Sequence, residues 1–353
     1  MTTHPTPPAQ GSDAASGVDG APASRPATIL DVAAAVGVSR QTVTRAMNDL
    51  PGVNAATRER VLEAARQLNY RPNRAAQGLV RGREITVGLV VDDLRNPYYP
   101  ELASEFSRAA AGRGWGVLLS DLGADPAVAA ERLASLALRV DAVVSFMALG
   151  ALRPALGSIP VVQIGAQQGD GIAGCDASGE GRPDAGDAII GIDDPAAVRD
   201  AVEHLLAGGR RRIAMIDHGP VRSVRAAAYE RMLAERGSHP LVIEAAHGDG
   251  VRAAEALLDA EPRADAVLVF NDVLAIGALR GLSARGVRVP EDVAVVGMDG
   301  LDVSALVTPA LTTLAIDLPG LAAHAAELAD AVLRGERPAP RTVARELVVR
   351  ESA

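Results

Sequence analysis

At 353 residues the chain is too long for one small core, which sets an expectation of two or three globular units. Aromatic residues make up only 2% of it, so its cores must be built from Ala, Val and Leu, and a broad stacking surface for single-stranded nucleic acid is argued against. There is no Lys, so every basic contact falls to Arg, and the lone Cys175 admits neither an internal disulfide nor a zinc cluster, as suits a reducing cytoplasm.

Residues 1–26 are rich in Pro, Ala, Gly, Ser and Thr and read as a disordered tail, without the basic start and apolar stretch of an export signal. No run reaches the roughly 20 apolar residues of a membrane span. The net charge of -9 conceals a strong asymmetry. Between Arg25 and Arg83 ten Arg face four acidic residues, so a basic head sits on an acidic body. Such polarity turns one end toward phosphates and repels the other.

Within that head, Thr28 and Asp31 have capping-box character and open a helix carrying Val32, Ala33 and Val36 on one face. Gly37 ends it, and Ser39 is placed to cap a second helix through Met47, with Val43, Ala46 and Met47 turned inward. A third helix is expected from near Asn54 to Leu68, with Val61, Ala65 and Leu68 closing a small core. Two short amphipathic helices joined by Gly37-Val38-Ser39 form a helix-turn-helix signature. With the second helix in a major groove, Arg40, Gln41 and Arg45 are the long polar side chains left outside; Arg suits guanine and Gln suits adenine. Thr42 and Thr44 suit phosphate or thymine-methyl contacts.

The run from Ala27 to Asn48, then Thr57-Arg-Glu-Arg-Val61 and Leu68-Asn-Tyr-Arg-Pro-Asn73, resembles the headpiece of the lactose-repressor and galactose-repressor family of bacterial transcription regulators. The likeness continues across nearly the whole chain from Thr28. It implies an all-α helix-turn-helix headpiece (27–72), a hinge helix and linker (73–83) and an α/β two-lobed periplasmic-binding-protein-like sensor domain (84–353). It further implies base reading by Arg40, Gln41, Thr42 and Arg45, and backbone contacts from Thr28, Ser39, Thr44, Asn48, Arg58 and Asn73. In the hinge, Arg74, Ala76 and Leu79 would enter the minor groove, Leu79 as a wedge between base pairs or, alternatively, as a linker residue packed on the sensor. An isolated helix so short, weakened further by Gly78, should not form without DNA.

Beyond Glu84, short apolar runs alternate with helical stretches, the pattern of a parallel sheet. Strands are expected at Ile85 to Val91, Val117 to Ser120, Ala142 to Phe146, Val161 to Ile164, Ile189 to Ile192, Ile213 to Ile216, Val242 to Ala245, Ala266 to Phe270 and Val293 to Val296. The resemblance implies two lobes crossed three times by the chain, near Ala188, Leu314 and Ala339. That places one lobe at about 84–188 and 315–338 and the other at about 189–314 and 339–353.

Ligands of such sheets sit beyond the carboxyl ends of strands, where Arg225, Asn271 and Asp299 fall. Amide, carboxylate and guanidinium together suit a polyol or a purine, and the matching family positions bind effector. Taken alone, each has an ordinary alternative: a surface ion pair for Arg225, a helix cap for Asn271, a turn for Asp299. Asp92, Asn96, Tyr98 and Tyr99 follow the first strand, and both Tyr are expected to border the ligand unless they merely fill the core. Gly165 stands where many sugar-sensing members carry a polar side chain. The long Gly- and Asp-rich stretch 166–187 reads as a loop near the cleft rim, and its Cys175 as an ordinary thiol rather than a redox sensor.

The expected partners are a near-palindromic double-stranded DNA operator, a small-molecule effector and a second copy of the chain, a homodimer rather than a coiled-coil tetramer, with no membrane. Neither cofactor, metal nor catalytic residues are expected. Val91-Asp-Asp-Leu-Arg-Asn96 is no dinucleotide-binding glycine turn, and the six His are scattered. A periplasmic transport receptor would share the lobed body but need an export signal in place of the basic head.

Overall fold

The computed structural model describes residues 27–47, 51–68, 70, 85–91, 93–123, 125–147, 149–165, 187–219, 222–246, 248–260 and 263–353. The chain divides into two compact units, Met1–Asn73 and Arg74–Ala353.

The first unit holds α1 (Ile29–Val36), α2 (Arg40–Met47) and α3 (Ala55–Gln67). The Asp31 carboxylate accepts both the backbone N–H and the hydroxyl of Thr28 at 2.7 Å, closing the capping box at the start of α1. Gly37 closes α1 with a left-handed backbone at φ 71, which a residue with a Cβ adopts only at a cost. Ser39 Oγ then accepts the Thr42 N–H at 3.1 Å and Asn54 Oδ1 accepts the Thr57 N–H at 2.7 Å, starting α2 and α3. Val32, Val36, Val43, Ala46, Val61 and Ala65 form the core. Leu68, expected to complete it, is exposed instead; α3 ends at Gln67, and Tyr70 folds back against the cluster with its N–H on the Ala65 carbonyl at 2.8 Å. Arg60 ties α3 to α1 through the Val36 carbonyl at 2.8 Å.

Among the described residues the second unit contains two six-stranded sheets. Its elements in chain order are β1 (Thr86–Val91), α4 (Tyr98–Ala111), β2 (Gly116–Asp121), α5 (Pro126–Ala137), β3 (Ala142–Ser145), β4 (Val161–Ile164), β5 (Ala188–Ile192), α6 (Asp194–Ala207), β6 (Ile213–His218), α7 (Val224–Glu235), β7 (Leu241–Ala245), α8 (Gly250–Asp259), β8 (Ala266–Val269), α9 (Asp272–Ala284), β9 (Ala294–Asp299), β10 (Thr312–Ile316), α10 (Leu318–Leu333), β11 (Arg341–Val343) and β12 (Arg345–Val348). The first sheet runs β11-β5-β4-β3-β1-β2 and the second β12-β10-β9-β8-β6-β7. The described pairings are parallel except β10 with β12.

Each sheet buries both faces, as parallel sheets must. In the first lobe α4 and α10 pack on one face, and α5 with a short 3-10 turn at Gly150–Leu156 on the other. In the second, α6 and α7 cover one face and α8 and α9 the other. Helices α8 and α9 meet at bare backbone: a Cβ on Gly277 would lie 2.9 Å from the Gly250 Cα.

Ile189 to Ile192, assigned to the second lobe, belongs to β5 of the first sheet, paired with β4 and β11. The first crossing therefore falls at Asp193, the second at Asp317 between β10 and α10, and the third at Ala344 between β11 and β12. Strands β10, β11 and β12 went unanticipated. Thr312 and Thr313 break the apolar run of β10, and the charged β11 and β12 are edge strands, which need no continuous apolar sequence.

Candidate operator and effector sites

On α2 of the first unit Arg40, Gln41 and Arg45 are exposed, because Val43 and Ala46 take the buried face. Thr42 and Thr44 are half-buried. The Thr42 hydroxyl pairs with Ser39 Oγ at 2.9 Å, and the Thr44 hydroxyl donates to the Arg40 carbonyl at 3.1 Å, which fixes the flanks of the exposed face. Arg58 is half-buried on α3, while Thr28 and Ser39 are exposed at the starts of α1 and α2. Partial burial raises the Tyr70 phenol above its ordinary range against the opposing pull of Arg40. Asn48, Asn73, Arg74, Ala76, Gly78 and Leu79 lie outside the described residues, as do Asp92 and Cys175.

In the second unit Arg225, Asn271, Asp299 and Tyr98 are drawn together. Arg225 sits in the first turn of α7, which Ser223 caps; the Ser223 hydroxyl donates to the buried Asp217 carboxylate at 2.6 Å, locking the approach from β6. The Arg225 guanidinium lies 4.5 Å from the Phe270 ring centre, donates to the Phe270 carbonyl at 2.5 Å and to Asp194 Oδ2 at 3.0 Å, and approaches Asp299 Oδ1 at 3.9 Å. Asn271 caps α9, its Oδ1 accepting the Leu274 N–H at 2.9 Å, which leaves the NH2 as the group it offers. Asp299 ends β9 in a left-handed backbone at φ 127, a strained position for a residue with a side chain. Asn96 Oδ1 accepts the Tyr98 N–H at 3.1 Å and so starts α4, while Tyr99 stands edge-on to Tyr98, ring centres 5.3 Å apart. Gly165, with φ 85, ends β4 and supplies no side chain.

Two charged residues not singled out in the sequence complete the cluster. Arg345, its side chain 1% exposed, donates from Nε to Asp194 Oδ1 at 2.8 Å, and its Nη1 reaches within 3.7 Å of Asp299 Oδ1. Asp194 thus accepts from two guanidinium groups. Burial opposes its charge, but the two cations hold its carboxyl below the usual range. Burial likewise works against the charge of Arg225, yet Asp194 and then Asp299 outweigh it and keep the guanidinium above its ordinary value. Among the described residues Asp299 makes no such close pair: burial pushes its carboxyl up to about 7, the opposing pull of Arg225 and Arg345 being insufficient. The Tyr98 phenol, set against these groups from the other lobe, is driven by burial to about 12. The signal for Asp194 was its place one residue beyond a crossing, which the misassigned β5 hid; Arg345 lay in a strand that had gone unnoticed.

A small-molecule-sensor fold of two lobes, joined in one chain to a helix-turn-helix module with an Arg-bearing outer face, defines a DNA-binding regulator. Residues 28–73 match the family described as bacterial regulatory proteins, lacI family, and residues 202–353 match the periplasmic binding protein-like domain. The chain is 30% identical over 302 residues to catabolite control protein A of Priestia megaterium, covering 81% of this chain and 86% of that one. Among solved structures it is similar to a LacI family transcriptional regulator from Arthrobacter sp. FB24 in complex with lactose, with TM-score 0.66, 33% identity and 76% of this chain against 99% of the other. It is also similar to the lac repressor dimer bound to operator and the anti-inducer ONPF, with TM-score 0.64, 27% identity and coverage of 93% and 99%. The chain belongs to the LacI family of transcription regulators. Among the described residues no helix is long and apolar enough to cross a membrane.

Proposed function

We propose that this regulator acts in the cytoplasm as a homodimeric, non-enzymatic repressor on a near-palindromic operator, and that a sugar or sugar-like metabolite held beside Arg225, Asn271 and Asp299 sets its DNA affinity. The observation that carries the effector reading is the buried polar cluster itself: donors and acceptors converge at the carboxyl ends of β6, β8 and β9, with Tyr98 of the other lobe against them. A polyhydroxyl ligand both donates and accepts, so it satisfies guanidinium, amide and carboxyl at once. The lactose- and operator-bound relatives agree with this reading.

The operator reading rests on the exposed Arg40, Gln41 and Arg45 of α2, which supply groups able to read base edges, with Thr28, Ser39, Thr44 and Arg58 available to the phosphates. Linkage then requires effector and operator to change each other's affinity by the same factor, through a change in how the two lobes are set.

The experiment is a fluorescence-anisotropy titration of the full-length dimer against duplexes from its own upstream region, with sugars, polyols, purines and nucleosides added in turn. A thermal-shift screen runs beside it, since a ligand at about a hundred times its Kd adds ~2.7 kcal/mol to stability. A sugar-dependent change in operator affinity that Arg225→Ala removes supports the proposal. Failure to retain any duplex at low ionic strength overturns its operator half; a response to nucleosides alone replaces the effector class.

A further inference from the structure

The strongest unexplained feature of the effector cluster is Arg345. Its side chain is almost wholly buried, one end is held by Asp194, and its Nη1 has no hydrogen-bond partner among the described residues. An unpaired buried guanidinium nitrogen is costly, so its retention calls for an explanation, and a ligand group that completes it is one. The neighbouring geometry indicates which group. Arg225 Nη2 and Arg345 Nη1 lie 3.9 and 3.7 Å from the same atom, Oδ1 of Asp299. Both gaps are too long for a direct hydrogen bond. A hydroxyl set to the side of each gap can accept from the nitrogen and donate to the oxygen at about 2.8 Å on either side. A carboxylate oxygen has two lone pairs, so Oδ1 can accept from two such hydroxyls together.

We propose that Arg345 is a specificity-determining effector contact: with Arg225 and Asp299 it forms a clamp for two hydroxyls on adjacent carbons, so that the effector bears a vicinal diol. This rests on the effector reading given above and narrows it. Asp194 acts as the positioning residue, since its two oxygens hold the Nε of both guanidinium groups and so direct their outer nitrogens to one point. A compound with an isolated hydroxyl fills one bridge and leaves the other guanidinium nitrogen unpaired.

The test is isothermal titration of the full-length protein with lactose, cellobiose and D-ribose as probes, followed by the monodeoxy analogues of whichever binds. Arg345→Gln and Arg345→Lys are compared with the unaltered chain; the Lys variant keeps a cation beside Asp194 should the Gln variant fold poorly. On the unaltered protein, removing one diol hydroxyl is expected to weaken binding roughly ten- to hundredfold. In either variant the parent sugar weakens by a similar factor, and the penalty for that same missing hydroxyl shrinks to about threefold or less. A purely structural loss would scale parent and deoxy sugars alike, so an undiminished deoxy penalty in the variants overturns the proposal, as does parent-sugar binding equal to that of the unaltered chain. If the unaltered protein binds none of the three sugars, the sugar-effector reading fails with it.

Discussion

The carboxylate of Asp272 accepts the Gly300 N–H at 3.0 Å, so the first residue of α9 holds the turn that follows β9. The same carboxylate takes the Leu301 N–H at 2.8 Å and the hydroxyls of Ser304 and Thr313 at 2.7 and 2.6 Å, all without exposure to solvent. These bonds oppose the backbone strain at the neighbouring Asp299. In Asp272→Asn one acceptor becomes an NH2 facing donors, with an expected loss of about 3 kcal/mol by urea unfolding. Sugar affinity should fall as well, because the Asp299 turn loses its anchor.

The raised Asp299 carboxyl gives a stability profile of definite sign. The folded protein keeps a proton there up to about pH 7, whereas the unfolded chain releases it near the ordinary value of 3.8. Its contribution is therefore whole below that value and is lost as pH climbs through about 7. Asp194, held below the usual range, titrates beneath this window. Denaturation midpoints at about pH 5 and about pH 8 should differ more in the unaltered protein than in Asp299→Asn. Equal differences in the two proteins would assign the slope to other groups.

On the operator side, the exposed ends of α2 and the half-buried α3 predict two kinds of loss. Arg40→Ala and Gln41→Ala should each cost ~1 to 3 kcal/mol at particular operator positions and relax preference there. Arg58→Ala should weaken operator and random duplex alike and reduce the salt dependence of binding by about one phosphate contact. Competition titrations at several salt concentrations separate the two, and a uniform loss for Arg40→Ala would remove it from base reading.

The backbone contact between α8 and α9 sets a packing test remote from both sites. Gly277→Val drives a branched side chain into Gly250, whose Cα a Cβ at 277 would already approach to 2.9 Å. The expected cost is about 3 kcal/mol in thermal or chemical unfolding. Operator preference, measured on the fraction still folded, should keep its sequence order.

The helix-turn-helix was legible because its signals are local: the Thr28–Asp31 box, Gly37 and the Ser39 cap each act within four residues. The strands of both sheet interiors announced themselves as apolar runs for a similar reason, burial on two faces. Long-range pairing was not legible. Nothing in Ile189 to Ile192 says whether β4 or β6 will be its neighbour, and nothing in Arg345-Glu-Leu-Val says that an edge strand will tuck its first side chain beneath the cleft. Leu68 misled because a helical period was carried one residue past the end of α3, where Tyr70 takes over. Arg225, Asn271 and Asp299 were found by position after strands. Asp194 and Arg345, on which Arg225 depends, became visible only in three dimensions.

Each crossing between the lobes is a single residue long: Asp193 separates β5 from α6, Asp317 separates β10 from α10, and Ala344 separates β11 from β12. With two soft dihedrals at each, the whole joint flexes through about six torsions, and the Asp193 N–H is itself tethered to the Val343 carbonyl at 2.9 Å. Three short struts in parallel resist twisting and stretching far more than bending. Asp194 and Arg345, each the first residue past its strut, therefore lie close to the joint on the second-lobe side, where a given opening displaces them least.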